Sequence, residues 1–309
     1  MCKLCGKRNV HNQSSLDCSK CSKITKIPLI KGLEKLYCHD CKLINIIPVI
    51  NNLRILHCYG CKSIIEIPTL NQLELLDCSY CSSLVKIPLL EKLQILTCIE
   101  CISIRDIPLI KNLRKLHCHY CLITNIPELP GLEELECSGC PNLKDISSMN
   151  NLLVLECDNC PCITKIPLFE NLQYLNCNNC QHLIDIEQNK ELFYLNCNRC
   201  VSLKTIPNFE KLEQLGCCNC RLLTFIPNSD SLEKIVSAGC IWLNINNQHY
   251  DMNIKKLIRL QKWFKQVIVS FRLKRLIKQL IPLYYHPDAK GGYFHKMNMM
   301  KFFNKILIP

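Results

Sequence analysis

The sequence predicts a mainly β solenoid: a parallel β-sheet on the concave face, an extended, polyproline-like convex side, and a C-terminal α-helical tail. Three observations lead there. The stretch Leu33 to Pro48, LEKLYCHDCKLINIIP, returns every 20 residues as L-x-x-L-x-C-x-x-C-x-x-I-x-x-I-P. A fixed period of this length marks stacked supersecondary units. Within each unit Leu36 and Cys38 alternate with Tyr37 and His39, the two-residue period of a strand. After Met252 the 20-residue period gives way to helical spacing.

Three segments follow in order. Residues 1–12 stand outside the repeat frame, residues 13–245 carry about 12 repeats, and residues 246–309 form a basic tail. The first segment contains Cys2 and Cys5, which with Cys18 and Cys21 give C-x2-C-x12-C-x2-C. That spacing matches a small zinc knuckle, although Cys18 and Cys21 are already accounted for by the repeat.

Repeats then begin at leucines 33, 53, 73, 93 and 113, take one 19-residue step to Leu132, and resume at 152, 172, 192, 212 and 232. Leu36 and Cys38 point inward from a short strand, about residues 34–40. Cys41, Ile44 and Ile47 continue the apolar lining around a turn, and Ile50 points in before the next strand. Pro48 fixes φ and biases Ile47 towards an extended conformation, so the return segment is extended rather than helical. A single coil of this kind cannot bury its own edge, and stacking does so. The pattern decays late in the array. Ser147 and Glu187 replace the proline, and Ser237 replaces the first cysteine of the last copy.

These residues resemble the leucine-rich repeat family, whose formula L-x-x-L-x-L-x-x-N/C-x-L is matched by Leu33, Leu36, Cys38 and Cys41. Cys38 holds the third leucine position and Cys41 the Asn/Cys position, while Ile44 falls one residue later than in the formula. The short repeats with an IP step, and a tail containing YYHPDAKGG, are similar to leucine-rich-repeat proteins of giant DNA viruses of the mimivirus type. The family resemblance implies a non-catalytic scaffold that binds a protein partner on its concave surface.

The formal net charge is +12, but it is concentrated in one place. From Met252 onward there are 13 Lys and Arg against Asp288 alone, which leaves 25 of each sign in residues 1–251. A uniformly basic nucleic-acid binder is excluded by that distribution, and no run of Lys or Arg lies on the expected sheet face. No apolar secretory segment follows Met1, and no uncharged apolar run is long enough to span a bilayer. The chain is therefore expected to be intracellular and cytoplasmic, with its 27 cysteines reduced.

Two columns of side chains are expected on the concave face. The first reads Tyr37, His57, Asp77, Thr97, His117, Glu136, and the second His39, Tyr59, Ser79, Ile99, His119, Ser138. Tyr80 and Tyr120 stand one residue beyond the second. The N-terminal half is rich in rings, the middle is acidic, and the later part is rich in asparagine. Tyr37, His39, His57, Tyr59, Tyr80, His117, His119 and Tyr120 are the candidate partner-binding residues, because amphipathic rings anchor protein interfaces. The other explanation of the same residues is a solvated strand surface. His57 and the pair His117 and His119 lie three repeats apart, roughly 14 Å at sheet spacing. One mononuclear site therefore cannot hold all the histidines, and no metal or cofactor is expected.

The cysteine columns have a second explanation. Each neighbouring pair of repeats offers C-x2-C-x16-C-x2-C, a zinc spacing, so a metal-binding or redox-responsive cysteine protein is the alternative function. A third possibility is an adaptor working through its tail. Ile254, Leu257, Leu260, Phe264 and Val267 alternate with basic residues as an amphipathic helix, whose apolar face suits capping the open C-terminal edge of the solenoid, or else a calmodulin-like protein or an acidic membrane surface. Leu260-Gln261-x3-Lys265 resembles the start of a calmodulin-binding IQ motif, with Gln266 in the glycine position. His286-Pro287-Asp288 resembles the loop of J-domain cochaperones, which act on an Hsp70-type partner, although Pro282 interrupts the preceding helix. No nucleophile, base and orienting group recur outside the repeat frame, and no enzyme is expected.

Overall fold

The computed structural model describes residues 4, 13–224 and 231–240. Cys2, Cys5, the basic tail and its HPD sequence lie outside the described residues. Twelve three-residue strands form one parallel sheet. They are β1 Ser15–Asp17, β2 Lys35–Tyr37, β3 Ile55–His57, β4 Leu75–Asp77, β5 Ile95–Thr97 and β6 Lys115–His117, followed by β8 Glu134–Glu136, β10 Val154–Glu156, β12 Tyr174–Asn176, β14 Tyr194–Asn196, β15 Gln214–Gly216 and β16 Lys234–Val236. On the opposite side of each turn lie shorter pieces: β7 Asn125–Ile126 pairs with β9 Asp145–Ile146, and β11 Lys165–Ile166 with β13 Asp185–Ile186. The return segment expected to be extended is therefore extended, and part of it hydrogen-bonds to its neighbour.

Register follows the period. Leu36 faces Leu56 and Tyr37 faces His57, one repeat along. Across the short step His117 faces Glu136, so the missing residue is absorbed in the return segment and the strand frame is kept. The sheet ladder runs past the strand ends, because Cys38 N–H donates to the His57 carbonyl and Asp40 N–H to the Tyr59 carbonyl, both at 2.8 Å.

Each turn buries one set of side chains. In the second repeat these are Leu33, Leu36, Cys38, Cys41, Ile44, Ile47 and Ile50, and their equivalents continue through the array. Stacked in register, they form one continuous core from Leu16 to Cys240. Burying a leucine or isoleucine side chain contributes about 1.5–3 kcal/mol, and every turn does this several times over.

The two cysteine columns behave differently. The second cysteine of each repeat donates its thiol backwards to the carbonyl of the first cysteine one repeat earlier: Cys61 to Cys38 at 2.9 Å, Cys81 to Cys58 at 3.2 Å, Cys121 to Cys98 at 3.0 Å. The ladder carries on to Cys240, which donates to Cys217 at 2.9 Å. A weak donor is sufficient where a turn carbonyl would otherwise be under-satisfied in an apolar core. Contact with the second-column thiol, together with burial, pushes the Cys58, Cys78 and Cys98 thiols well above the usual range, so they stay protonated. The described cysteines are free thiols.

The residue just before the second cysteine takes a left-handed conformation in repeat after repeat, including Asp40, Tyr80, Glu100, Tyr120, Asn159, Asn179 and Asn219. Gly60, Gly139 and Gly239 fill the same slot, with φ between 70 and 75°. Glycine, asparagine and aspartate tolerate this region, whereas a tyrosine there is uncommon.

A polar side chain also enters the core. Asn189 occupies the position held elsewhere by Ile50 or Phe169 and is fully buried. Its Oδ1 accepts from the Phe169 N–H at 2.8 Å and its Nδ2 donates to the Glu187 carbonyl at 2.7 Å. Both ends are satisfied, which is the condition under which a buried amide is tolerated.

Candidate interaction face

Three columns, not two, stand on the solvent face of the sheet. The added one is the first residue of each strand: Lys35, Ile55, Leu75, Ile95, Lys115, Glu134, Val154 and Tyr174. It was missed because the leucine at the repeat start does not alternate with it. Its signal was the same i, i+2 spacing that marked Tyr37 and His39.

The eight candidate residues separate into two groups with Tyr80 between them. In the first group, rings stack across β2 and β3. Tyr37 lies over His57 with centroids 5.2 Å apart and planes 10° from parallel, and His39 lies over Tyr59 at 4.5 Å and 7°. Parallel in-register pairing brings like positions to ring-stacking distance, so the arrangement follows from the repeat length. His57 Nδ1 lies 3.5 Å from Asp77 Oδ2 on β4. Burial, with Asp40 and Asp77 nearby, pushes the Tyr59 phenol upwards. Beside the rings the half-buried Ile55, Leu75, Ile95 and Ile99 add apolar area. Tyr80 is 46% exposed and Tyr120 56%, and both are held in the left-handed conformation.

The second group is chemically different. His117 Nε2 lies 3.1 Å from Glu134 Oε1 and 4.0 Å from Glu136 Oε1, while His119 Nε2 lies 2.8 Å from Glu136 Oε2. Lys115 Nζ reaches Glu134 Oε2 at 2.5 Å. Burial alone would raise the Glu134 carboxyl, but hydrogen bonds from Lys115 and His117 outweigh it and hold the group below the usual carboxylate range. One strand further, burial and the nearby Glu136 and Asp158 push Glu156 up. The ring surface is therefore not uniformly free of charge. It is apolar and aromatic over β2 to β5, then becomes an ionic lattice over β6 to β10. Tyr120 packs against Gly139, where a Cβ would come within 2.4 Å of the ring.

Further along, Tyr174 stacks on Tyr194 at 4.4 Å, in the column that sequence reasoning passed over. Burial and the neighbouring phenol push the Tyr174 hydroxyl up to about 12. Asn176 and Asn196 lie next to this pair on the same strands, as the asparagine-rich reading expected.

Residues 111–151, which include the histidine and glutamate group, match the family model described as Leucine Rich repeats (2 copies). Outside that match, the same buried turn recurs through the parallel solenoid from Leu16 to Cys240. The chain is also similar to a solved leucine-rich repeat protein from Bacteroides ovatus ATCC 8483. The two are 18% identical, with a TM-score of 0.45, over 74% of this chain and 80% of that one. No curated protein matches the chain. Among the described residues, no helix is long and apolar enough to cross a membrane.

Proposed function

We propose that the chain is a non-catalytic scaffold whose sheet face binds a protein partner, with the N-terminal half as the anchoring surface. One observation carries this reading. Tyr37, His39, His57 and Tyr59 form two stacked ring pairs, beside a half-exposed aliphatic column of Ile55, Leu75 and Ile95. Rings already held by stacking lose little rotamer freedom on binding, and aromatic anchors of this kind carry most of an interface's affinity. The surface offers few cations for a phosphate backbone, which favours protein over nucleic acid. The finer resemblance, to proteins of giant DNA viruses, rests on the IP step and the tail sequence.

The direct experiment places a photo-crosslinking residue at position 59 or 80 on the sheet face, and separately at 106 on the opposite side. A partner recovered with the full chain should crosslink from 59 or 80 and not from 106. Crosslinking from 106 alone would move the binding surface to the other side of the solenoid.

A further inference from the structure

The same sheet face carries a second feature that protein binding does not require. His117, Glu134 and Glu136 each place one ligand atom in a common space, all within 4.8 Å of one another. Two come from neighbouring positions on β8, and the third faces Glu136 directly across the β6–β8 pairing. Each carboxylate has one oxygen occupied and the other left for the shared space. Lys115 Nζ holds Glu134 Oε2, and His119 Nε2 meets Glu136 Oε2. The remaining oxygens, Glu134 Oε1 and Glu136 Oε1, both approach His117 Nε2, at 3.1 and 4.0 Å.

We propose that His117 Nε2, Glu134 Oε1 and Glu136 Oε1 bind one divalent first-row transition cation on the solvent face of β6 and β8, with His119 positioning the Glu136 carboxylate. The inference is independent of the partner reading.

The geometry supports this in three ways. Ligands about 2.0–2.2 Å from a shared ion are themselves separated by roughly 3–3.6 Å. The His117–Glu134 separation of 3.1 Å already lies in that range, and the His117–Glu136 separation of 4.0 Å would close by a few tenths of an ångström on binding. Nitrogen and carboxylate oxygen donors without a thiolate suit zinc, cobalt, nickel or manganese rather than a soft cation. A metal-bound carboxylate is usually held by an outer partner, and His119 is placed to be one. Charge points the same way. Glu134, Glu136, Glu156 and Asp158 crowd adjoining strands, with Glu136 facing Glu156 across the β8–β10 pairing. Lys115 offsets part of their repulsion. A cation shared by Glu134 and Glu136 would offset more, and its remaining coordination positions would face solvent. The three ligand side chains are only 23–27% exposed, so the site is partly desolvated and its field correspondingly strong.

The ordinary alternative is that His117 and His119 simply hydrogen-bond to the glutamates. Cobalt titration of the reduced full chain, after alkylation of accessible thiols, separates the two. The expected result is one saturable equivalent with weak visible bands of nitrogen and oxygen coordination and no intense thiolate-to-cobalt band. Glu136→Gln and His117→Gln should each weaken that binding by at least about 10-fold. His57→Gln, on the same face but outside the trio, should leave it unchanged. Loss of saturable binding, a dominant thiolate band, or unchanged affinity in both variants would overturn the proposal. Should a variant fail to fold, the wild-type chain still decides. Cobalt should broaden the His117 ring resonances in NMR before those of His39 and His57, and uniform broadening would contradict the site.

Discussion

Cys101 Sγ donates to the carbonyl oxygen of Cys78 at 3.0 Å, from one repeat back to the one before. The same carbonyl accepts the Cys81 N–H at 3.2 Å, so the thiol adds a second bond to a buried turn. The regular spacing of the second cysteine from repeat to repeat thereby serves backbone satisfaction.

That relationship fixes an order of stabilities. Cys101→Ala removes one of two bonds to a buried carbonyl and should cost about 0.5–1.5 kcal/mol, before any cavity contribution. Cys101→Ser keeps a donor in the same place and should cost less. Urea titration with reductant present measures both. If serine proves worse than alanine, the thiol acts as a small hydrophobe and the ladder contributes little.

Tyr80 gives a prediction in which stability and binding move in opposite directions. Its φ of 60° is strained for a bulky residue and ordinary for asparagine, which fills the same slot at Asn159 and Asn179. Tyr80→Asn should stabilise the solenoid by up to about 1 kcal/mol and weaken partner capture. A variant that gains stability and keeps full binding would remove Tyr80 from the interface. A variant that loses stability would mean that the ring supports the fold.

Glu156 carries a pH prediction. Burial and the Glu136 and Asp158 carboxylates raise its folded-state affinity for a proton. A folded pKa above the unfolded one means that this group favours folding fully at pH below its unfolded value, and loses that contribution as pH rises through the folded value. At neutral pH its charge therefore opposes folding. Glu156→Gln should raise the melting temperature at neutral pH, with the gain shrinking below the carboxylate range. Glu134 has the opposite sign, since its lowered pKa contributes stability that is lost on acidification. Equal melting shifts at both pH values would show that Glu156 is not repelled by its neighbours.

Much of this was legible in the sequence because the period is strict. Leu36, Cys38, Cys41, Ile44 and Ile47 could be placed in the core from spacing alone, and the 37 and 39 columns could be placed on the open face by alternation. The left-handed slot was visible in principle, since Gly60, Gly139 and Gly239 share it with Asn159, Asn179 and Asn219. Reading that column only as surface hid its backbone role. The pairing of His117 with Glu134 was not legible. It is a diagonal contact that depends on how the 19-residue step is absorbed, and a one-residue slip would have put either side chain on the other face. The stacking of Tyr37 on His57 was implicit in a 20-residue repeat with rings in register. Asn189 in the core had no signal beyond its frame position, because its tolerance depends on the Phe169 N–H and the Glu187 carbonyl.

The most direct test of the sheet face as the working surface is partner capture by three forms of the chain: wild type, Tyr80→Ala with Tyr120→Ala, and a deletion of the residues after Asn253. With circular dichroism showing the fold intact, the double variant should lose most of its capture, since anchor rings are each worth about 2 kcal/mol or more on truncation, and the deletion should keep it. Capture that survives the double variant but disappears with the deletion would contradict the sheet-face reading and assign binding to the basic tail.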